Sequence, residues 1–130
     1  MTLQVELVVP EGEIWTGPAQ MVIAKTRDGD IGVLSGHAPV LGILVEGSVV
    51  RIRPEEDGGA EVSAAVNGGF FSIADDRVSI LAREALLASD IDTGAAQSAL
   101  DALEASSGQS EETPEIRYYR AQLRAAGAGS

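Results

Sequence analysis

The sequence lacks cysteine altogether and has a single histidine among its 130 residues. Without cysteine the chain has no disulfide, no thiolate nucleophile and no cysteine-based metal site, which agrees with a reducing compartment. A zinc site on His37 would need further nitrogen or sulfur ligands, and no second histidine or cysteine supplies them. We therefore expect neither a metal nor a cofactor.

Long apolar runs are absent as well. No unbroken apolar stretch approaches the roughly 20 residues that a membrane-spanning helix needs. Residues 1–6 also lack the basic start and the long apolar segment of a signal peptide. The sequence therefore predicts a cytoplasmic protein that does not insert into a membrane.

Basic residues are scarce, and the formal net charge is −11. This charge repels phosphate backbones and anionic lipids, which argues against nucleic acid or a membrane surface as the main partner. Arg117, Arg120 and Arg124 are the exception, because they cluster near the end of the chain. Their spacings of three and four residues predict that they share one face of a helix.

Alternating apolar residues run through the first two thirds of the chain. Leu3, Val5, Leu7 and Val9 alternate with other residues, a period typical of a strand with one buried face. Similar short runs cover residues 21–26, 31–34, 40–45, 48–53, 61–66, 69–74 and 77–81. They are separated by turn signals at residues 27–30, 46–47, 55–59 and 75–76. Because parallel neighbours need crossover helices that this spacing does not accommodate, we predict an antiparallel sandwich or barrel over residues 1–87.

Helical spacing replaces strand spacing in residues 88–130. Asp92 is a candidate N-cap for a first helix over residues 93–105, with a loop predicted at residues 106–112. Thr113 and Pro114 begin a second helix of about 13 residues, through Ala126. Its predicted apolar stripe consists of Ile116, Tyr119, Leu123 and Ala126. Two helices joined by a short loop predict an antiparallel hairpin.

No recognisable catalytic arrangement is present. A Ser-His-acid triad using His37 would lack the Gly-x-Ser-x-Gly elbow, and nothing aims a particular serine at this histidine. The segment 28–30 lacks the remaining ligands of a calcium loop, and the segment 67–71 lacks the Lys-Ser/Thr ending of a phosphate loop. Trp15, Phe70 and Phe71 are best explained by core or interface packing. We therefore predict an adaptor that docks onto partners, without enzymatic activity of its own.

The order of several motifs resembles one family, the epsilon subunit of the bacterial F-type (rotary) ATP synthase. The motifs are Leu3-Gln4-Val5-Glu6-Leu7-Val8-Val9-Pro10-Glu11, Asp30-Ile31-Gly32-Val33-Leu34-Ser35-Gly36-His37-Ala38-Pro39-Val40-Leu41, Gly47 before a basic strand, Asn67-Gly68-Gly69-Phe70 and Val78-Ser79-Ile80-Leu81-Ala82. The segment Gly36-His37-Ala38-Pro39, which follows a Gly-Asp-Ile-Gly stretch, is specific when placed between two strands. Together they lie in the first two thirds of the chain.

The resemblance implies an antiparallel ten-strand β-sandwich followed by a two-helix hairpin. It also implies a non-catalytic place in the central stalk, which couples proton flow through the c-ring to ATP synthesis. The expected partners are the gamma subunit, the c-ring and the alpha and beta subunits of the catalytic head. Such a subunit would lie on the cytoplasmic side of the bacterial inner membrane, held there through the complex.

Two groups of residues acquire expected roles from the resemblance. The expected c-ring contacts are Asp28, Asp30, Ser35, Gly36 and His37. The arginines at 117, 120 and 124 are expected to hold the hairpin against an acidic segment of the beta subunits and to restrain ATP hydrolysis. The alternative for the arginines is a solvated helix face. The alternative for the loop residues is that they serve only to form turns.

Two departures from the family pattern limit what is carried over. Nucleotide-binding members have an Ile/Leu-Asp-x-x-Arg-Ala motif, whereas Ala95 stands here in place of the arginine. Losing a charge-assisted phosphate donor weakens ATP binding, so we assign no nucleotide site. A second helix of about 13 residues rises only about 20 Å, which argues against deep insertion into the catalytic head. A stand-alone β-sandwich that binds a ligand is the alternative function, and a hydrolase built on His37 is a more remote one.

Overall fold

Strands make up most of residues 2–54, 60–107 and 113–127, the part of the chain that the computed structural model describes. The strands are β1 (Leu3–Val9), β2 (Gly12–Thr26), β3 (Gly29–Leu34), β4 (Val40–Ile43), β5 (Glu46–Pro54), β6 (Val62–Asn67), β7 (Gly69–Ala74), β8 (Arg77–Ala82) and β9 (Ala85–Leu87). A single 3₁₀ turn (Ala88–Asp90) leads to helices α1 (Thr93–Ser107) and α2 (Pro114–Ala125). The predicted order of strands followed by two helices is confirmed. The predicted turn at 55–59 and most of the predicted loop at 106–112 lie outside the described residues.

The strands pair in the order β4-β7-β8-β1-β2-β5-β6-β9, with β3 beside β2. Within the described residues every strand pair is antiparallel except β1 with β8, which run parallel from Gln4 opposite Arg77 to Val8 opposite Leu81. The prediction of a purely antiparallel sheet is therefore wrong. It considered crossovers between consecutive strands only, whereas the six strands between β1 and β8 themselves provide the long connection that a parallel pair needs.

The described residues contain nine strands, one fewer than the family resemblance implies. The long strand β2, with 15 residues, pairs with β1 through its first half and with β3 and β5 through its second half. The register with β5 shifts between Ala19 and Met21, which marks a bulge in this strand. One continuous strand thus serves two parts of the sheet, and only its second half was predicted.

The core of the sandwich consists of the inward-facing side chains of the strands. Leu3, Val5 and Leu7 of β1 are almost fully buried, while the residues between them face outwards. Phe71 is the largest fully buried side chain, and Trp15 packs against the same core from its edge. The alternation read in the sequence therefore places the buried face correctly.

The helices begin as the sequence predicts. Asp92 Oδ1 accepts a hydrogen bond from Ala95 N–H at 3.0 Å, and Thr113 Oγ1 accepts one from Ile116 N–H at 3.2 Å. These side chains satisfy backbone donors that have no partner inside the first turn. Helix α1 runs two residues further than predicted, to Ser107.

Helix α2 lies between α1 and the sheet. Ile116 and Leu123 pack against α1, whereas Tyr118 packs against Ala65 of β6. The predicted stripe missed Tyr118 because it assumed a single buried face. A helix with two packing partners buries residues on more than one side, which a search for one stripe does not detect.

Candidate functional site

The loop after β3 carries three of the residues predicted to contact a partner. Its turn is closed by a hydrogen bond from His37 N–H to the Leu34 carbonyl at 3.2 Å. Gly36 has φ +89°, with no atom near the position of a Cβ. This left-handed conformation is one that glycine adopts without strain. His37 Nδ1 lies 2.7 Å from the Ala38 carbonyl oxygen, which holds the ring beside the loop.

Asp76 binds this loop from the turn between β7 and β8. Its Oδ1 accepts a hydrogen bond from Gly36 N–H at 2.7 Å, and its Oδ2 accepts one from Ser35 Oγ at 2.8 Å. The pKa of Asp76 is lowered, first by the bond from the Gly36 amide and then by the bond from the Ser35 hydroxyl, while a slight loss of hydration opposes them. The carboxylate is therefore ionised at neutral pH, and its two bonds are charge-assisted.

Sequence reasoning identified the turn at Asp75 and Asp76 but not the reach of the Asp76 side chain. Both residues have positive φ, of 50° and 60°, as the two central residues of a type I′ hairpin turn do. Aspartate tolerates this conformation better than most residues. The two acids between alternating strands signalled the hairpin, but no spacing rule links residue 76 to residues 35 and 36.

The other predicted contact residues, Asp28 and Asp30, lie at the opposite end of β3. Asp28 belongs to a turn in which Thr26 Oγ1 donates to the Gly29 carbonyl at 2.8 Å and accepts from Asp28 N–H at 3.3 Å. Asp30 is the second residue of β3, opposite Lys25 of β2. A strand of six residues spans about 20 Å. The structure therefore divides the five predicted contact residues into two groups at the two ends of this strand.

An exposed apolar row, named here the apolar strip, crosses the outer face of four neighbouring strands. Ile43 lies opposite Phe70, Phe70 opposite Leu81, and Leu81 beside Val8. Ile43, Phe70 and Leu81 are 44%, 52% and 47% exposed. Contiguous exposed apolar residues of this kind mark interaction surfaces.

Charged residues border the apolar strip. Arg27, Glu46 and Arg83 line the same cleft, and Arg83 Nη2 lies 2.8 Å from Glu46 Oε2. An apolar centre with a polar rim is the usual layout of a protein interface. Sequence reasoning missed this strip, although a signal was present: each of these strands has two consecutive apolar residues, such as Phe70 and Phe71, so that both of its faces are apolar.

The three arginines of α2 point to two different neighbours. Arg120 Nη2 lies 2.7 Å from Glu104 Oε2 of α1. Arg117 and Arg124 instead line a polar cleft towards the sheet, together with Lys25, Asp30 and Arg51. The prediction of one shared face therefore applies to the first and third arginines, and the second turns towards the other helix.

Gly47 is a point where α2 lies close against the backbone of β5. Its carbonyl oxygen accepts a hydrogen bond from Arg124 Nη2 at 3.3 Å. A Cβ at Gly47 would lie 2.5 Å from both the carbonyl carbon and the Cβ of Arg117, and the φ of Gly47 is +71°. Only glycine fits this position without displacing either the helix or the strand.

Comparison with known proteins identifies the family. A family model described as "ATP synthase, Delta/Epsilon chain, beta-sandwich domain" matches residues 2–88. The chain is also 50% identical, over 97% of its length, to the ATP synthase epsilon chain of Thermobifida fusca (strain YX), of which it covers 93%. The chain belongs to the ATP synthase epsilon chain family.

Further relatives agree with this family. This epsilon chain is 52% identical, over 67% of its length, to the ATP synthase epsilon chain of Frankia casuarinae, of which it covers 99%. A chain in a Euglena gracilis mitochondrial ATP synthase structure, "OSCP/F1/c-ring in rotational state 1", resembles it with a TM-score of 0.71, 24% identity and coverage of 98% and 78% of the two chains. A chain in a Tetrahymena thermophila mitochondrial ATP synthase structure, "central stalk/cring", gives a TM-score of 0.60 at 15% identity, covering 100% and 98%. These two likenesses confirm the fold.

Residues suited to metal binding are not grouped in the described part of this epsilon chain. Within residues 2–54, 60–107 and 113–127, no three histidine or acidic side chains come together as metal ligands would. In the same part of the chain, no helix is both long and apolar enough to cross a membrane. Asp92, the acid of the nucleotide-motif position, caps the backbone of Ala95. The absence of ATP binding stays a prediction that rests on Ala95.

Proposed function

We propose that this epsilon chain is a non-catalytic rotor component of a bacterial F-type ATP synthase, where it couples proton flow through the c-ring to ATP synthesis in the catalytic head. The strongest support is the 50% identity to the Thermobifida fusca epsilon chain along 97% of the sequence. In this proposal the chain has no catalytic residue or cofactor, and it is held at the cytoplasmic face of the inner membrane by its partners. A stand-alone ligand-binding module is not favoured, because the likeness extends across the hairpin as well as the sandwich.

The apolar strip is the proposed site for the gamma subunit. Phe70 supplies a large exposed aromatic side chain at the centre of the strip, with Ile43 and Leu81 on its two sides. Aromatic side chains of this kind contribute much of the binding energy of protein interfaces. A stalk subunit that transmits torque needs an adhesive surface. In the described part of the chain, three of the five exposed large apolar residues are aligned in this strip.

The two ends of β3 are the proposed sites for the c-ring. Asp28 and Asp30 offer carboxylates at one end, and the loop from Ser35 to His37 offers hydroxyl, amide and imidazole groups at the other. A single polar loop of a partner does not cover two sites about 20 Å apart. A ring presents the same polar loop in each of its subunits, so the two groups are proposed to meet different copies.

The arginines of α2 are proposed to restrain ATP hydrolysis by binding an acidic segment of the beta subunits. Arg124 is exposed, while Arg120 is paired with Glu104 in the docked hairpin. Exposed ion pairs contribute about 1 kcal/mol or less each, so the restraint depends on several of them together. Engaging the beta subunit would exchange the Arg120–Glu104 ion pair and the Arg124–Gly47 hydrogen bond for new exposed ion pairs, which makes the restraint readily reversible.

Charge reversal tests this restraint. Replacing Arg117, Arg120 and Arg124 by glutamate is expected to raise the ATPase rate of the assembled enzyme at low salt. Raising the salt concentration is expected to raise the wild-type rate in the same direction, because mobile ions screen exposed charges. If the triple variant assembles normally and hydrolyses ATP at the wild-type rate at low salt, the arginines are a solvated surface.

Replacement in the whole enzyme tests the proposed function. ATP synthase depleted of its epsilon subunit would be reconstituted with this chain in vesicles, and ATP-driven proton pumping would be compared with ATP hydrolysis. We expect the chain to restore the ratio of proton pumping to hydrolysis. Binding without restored coupling would contradict the proposal, as would a protein that is recovered from its cells free of the gamma subunit.

A further inference from the structure

Asp76 joins three segments that are distant in the sequence. Its carboxylate accepts hydrogen bonds from Ser35 and Gly36, which precede it by 41 and 40 residues. Its carbonyl oxygen accepts a hydrogen bond from Gln4 N–H at 2.8 Å, at the start of β1. The carboxylate therefore extends from a backbone that is itself anchored to a neighbouring strand.

We propose that Asp76 is a positioning residue, which fixes the direction in which the loop from Ser35 to His37 leaves the sheet. This inference rests on the proposed function in one respect, namely that this loop meets the c-ring. Asp76 itself is not assigned a contact with any partner. It acts through the two residues that it binds.

The loop needs such a support because its own bonds are local. The bond from His37 N–H to the Leu34 carbonyl closes the turn, but it joins residues only three positions apart. Gly36 is exposed, and apart from its chain neighbours no heavy atom lies within 4 Å of its Cβ position, so no side chain packs against it there. A closed turn can still rotate as a unit about its ends, and a bond to a distant rigid element prevents this rotation.

The turn that carries Asp76 is a suitable rigid element. Strands β7 and β8 pair without a register shift up to Ala74 opposite Arg77, so that only Asp75 and Asp76 form the turn. A two-residue turn of this type matches the twist of its strands and leaves them little freedom. The two bonds of the carboxylate are short and charge-assisted, which makes them stronger and more directional than bonds between neutral groups.

The neighbouring residue Asp75 offers a matched control. It has nearly the same backbone conformation, with φ 50° against 60°, and it carries the same charge. Replacing either residue by glycine retains the left-handed conformation and removes one negative charge. Of the two variants, only Asp76→Gly removes the acceptors of Ser35 and Gly36.

The first measurement is hydrogen exchange of the Gly36 amide in the full epsilon chain. Asp76→Gly is expected to speed the exchange about tenfold, and Asp75→Gly is expected to leave it unchanged. Asp76→Asn retains one acceptor oxygen and is expected to lie between them; it also replaces Asp76→Gly if that variant does not fold. The proposal is overturned if the Gly36 amide exchanges at the same rate in Asp76→Gly as in Asp75→Gly. If Asp76→Gly does not fold, the same comparison is made between Asp76→Asn and Asp75→Gly.

The second measurement separates this inference from the proposed function. Proton pumping per ATP hydrolysed would be measured in the assembled enzyme with the same variants, and Asp76→Gly is expected to lower it while Asp75→Gly does not. Faster exchange at Gly36 with unchanged pumping would support the positioning role of Asp76 and contradict the c-ring role of the loop. Unchanged exchange would contradict the positioning role of Asp76. It would not contradict the proposed c-ring contact, which is made by the loop residues and not by Asp76.

Discussion

At the scale of single residues, Gly47 controls how the hairpin lies on the sheet. Its positive φ would strain any other residue by about 1–2 kcal/mol, and a side chain would also meet the backbone of Arg117. Because Gly47 has no side chain, the backbone of the helix packs directly against the backbone of the strand at this point. One glycine therefore permits a contact that is needed only when the hairpin is docked.

Gly47→Ala is expected to lower the free energy of unfolding by about 2 kcal/mol or more and to loosen α2 from β5. Gly127→Ala is the control, because Gly127 has φ +81° but no atom within 4 Å of its Cβ position. Denaturant unfolding gives the free energies, and hydrogen exchange in α2 reports on docking. Equal effects of the two substitutions would show that strain alone, without the close approach, explains the result.

Tyr118 makes the stability of the chain sensitive to strongly alkaline pH. Burial raises its pKa from 10.0 to about 12, with smaller electrostatic contributions from Glu84 and Tyr119. The folded chain binds the phenol proton more tightly than the unfolded chain does. The stabilisation is therefore complete below pH 10 and is lost as the pH rises through about 12.

Tyr118→Phe is expected to remove this loss of stability between about pH 10 and pH 12. Two units of pKa shift correspond to about 3 kcal/mol at most. Denaturant unfolding at several pH values compares the variant with the wild type and with Tyr119→Phe, which retains the buried phenol. If the stability of Tyr118→Phe falls as steeply as that of the wild type, Tyr118 titrates equally in the folded and unfolded states. Other groups would then cause the loss of stability.

At the scale of elements, the division of the chain follows its two kinds of periodicity. The sandwich core is formed by side chains of the strands, from Leu3 to Ala82. The hairpin adds two small clusters, one between its helices and one against β6. The strands should therefore hold most of the folding free energy.

A chain ending at Ala88 is expected to fold by itself, with a cooperative thermal transition at a lower temperature than the full chain. The loss reflects exposure of Val49 and Ala65, which pack against α2 in the full chain. Circular dichroism during heating is the measurement. A fragment with no cooperative transition would contradict the assignment of residues 1–87 as the folding unit.

The elements that a sequence predicts best are those whose signal is local. Strand β1 and the caps of both helices were predicted correctly, because alternation and capping residues are read within a few positions. The first half of β2 was missed because it contains Gly17 and Pro18, residue types that are depleted in strands. The parallel pairing of β1 with β8 was missed because the period of a strand says nothing about its partner.

The candidate sites follow the same rule. The turn near Asp28 and the loop at Gly36 could be located from glycines and turn residues. The bond from Asp76 to that loop joins residues 40 positions apart, and the apolar strip unites single residues of four strands. Both depend on strand order, which one sequence does not reveal.

At the scale of the whole molecule, different surfaces of the chain are assigned to different partners. The apolar strip lies on the outer face of β4, β7, β8 and β1, whereas α2 covers β5 and β6. The proposed gamma contact and the hairpin therefore use separate parts of the sheet. In this proposal, release of the hairpin would leave the gamma contact of the apolar strip intact.

The most direct test of this account is the affinity of the chain for the gamma subunit when the apolar strip carries a charge. Phe70→Asp is expected to weaken gamma binding at least about 30-fold, because a central aromatic residue is lost and a charge would be buried. Leu34→Asp is the control, since Leu34 is 56% exposed and belongs to β3, outside the strip. Calorimetric titration of folded variants should show weak binding for the first and near-normal binding for the second, whereas full affinity of Phe70→Asp would contradict the assignment of this strip to the gamma subunit.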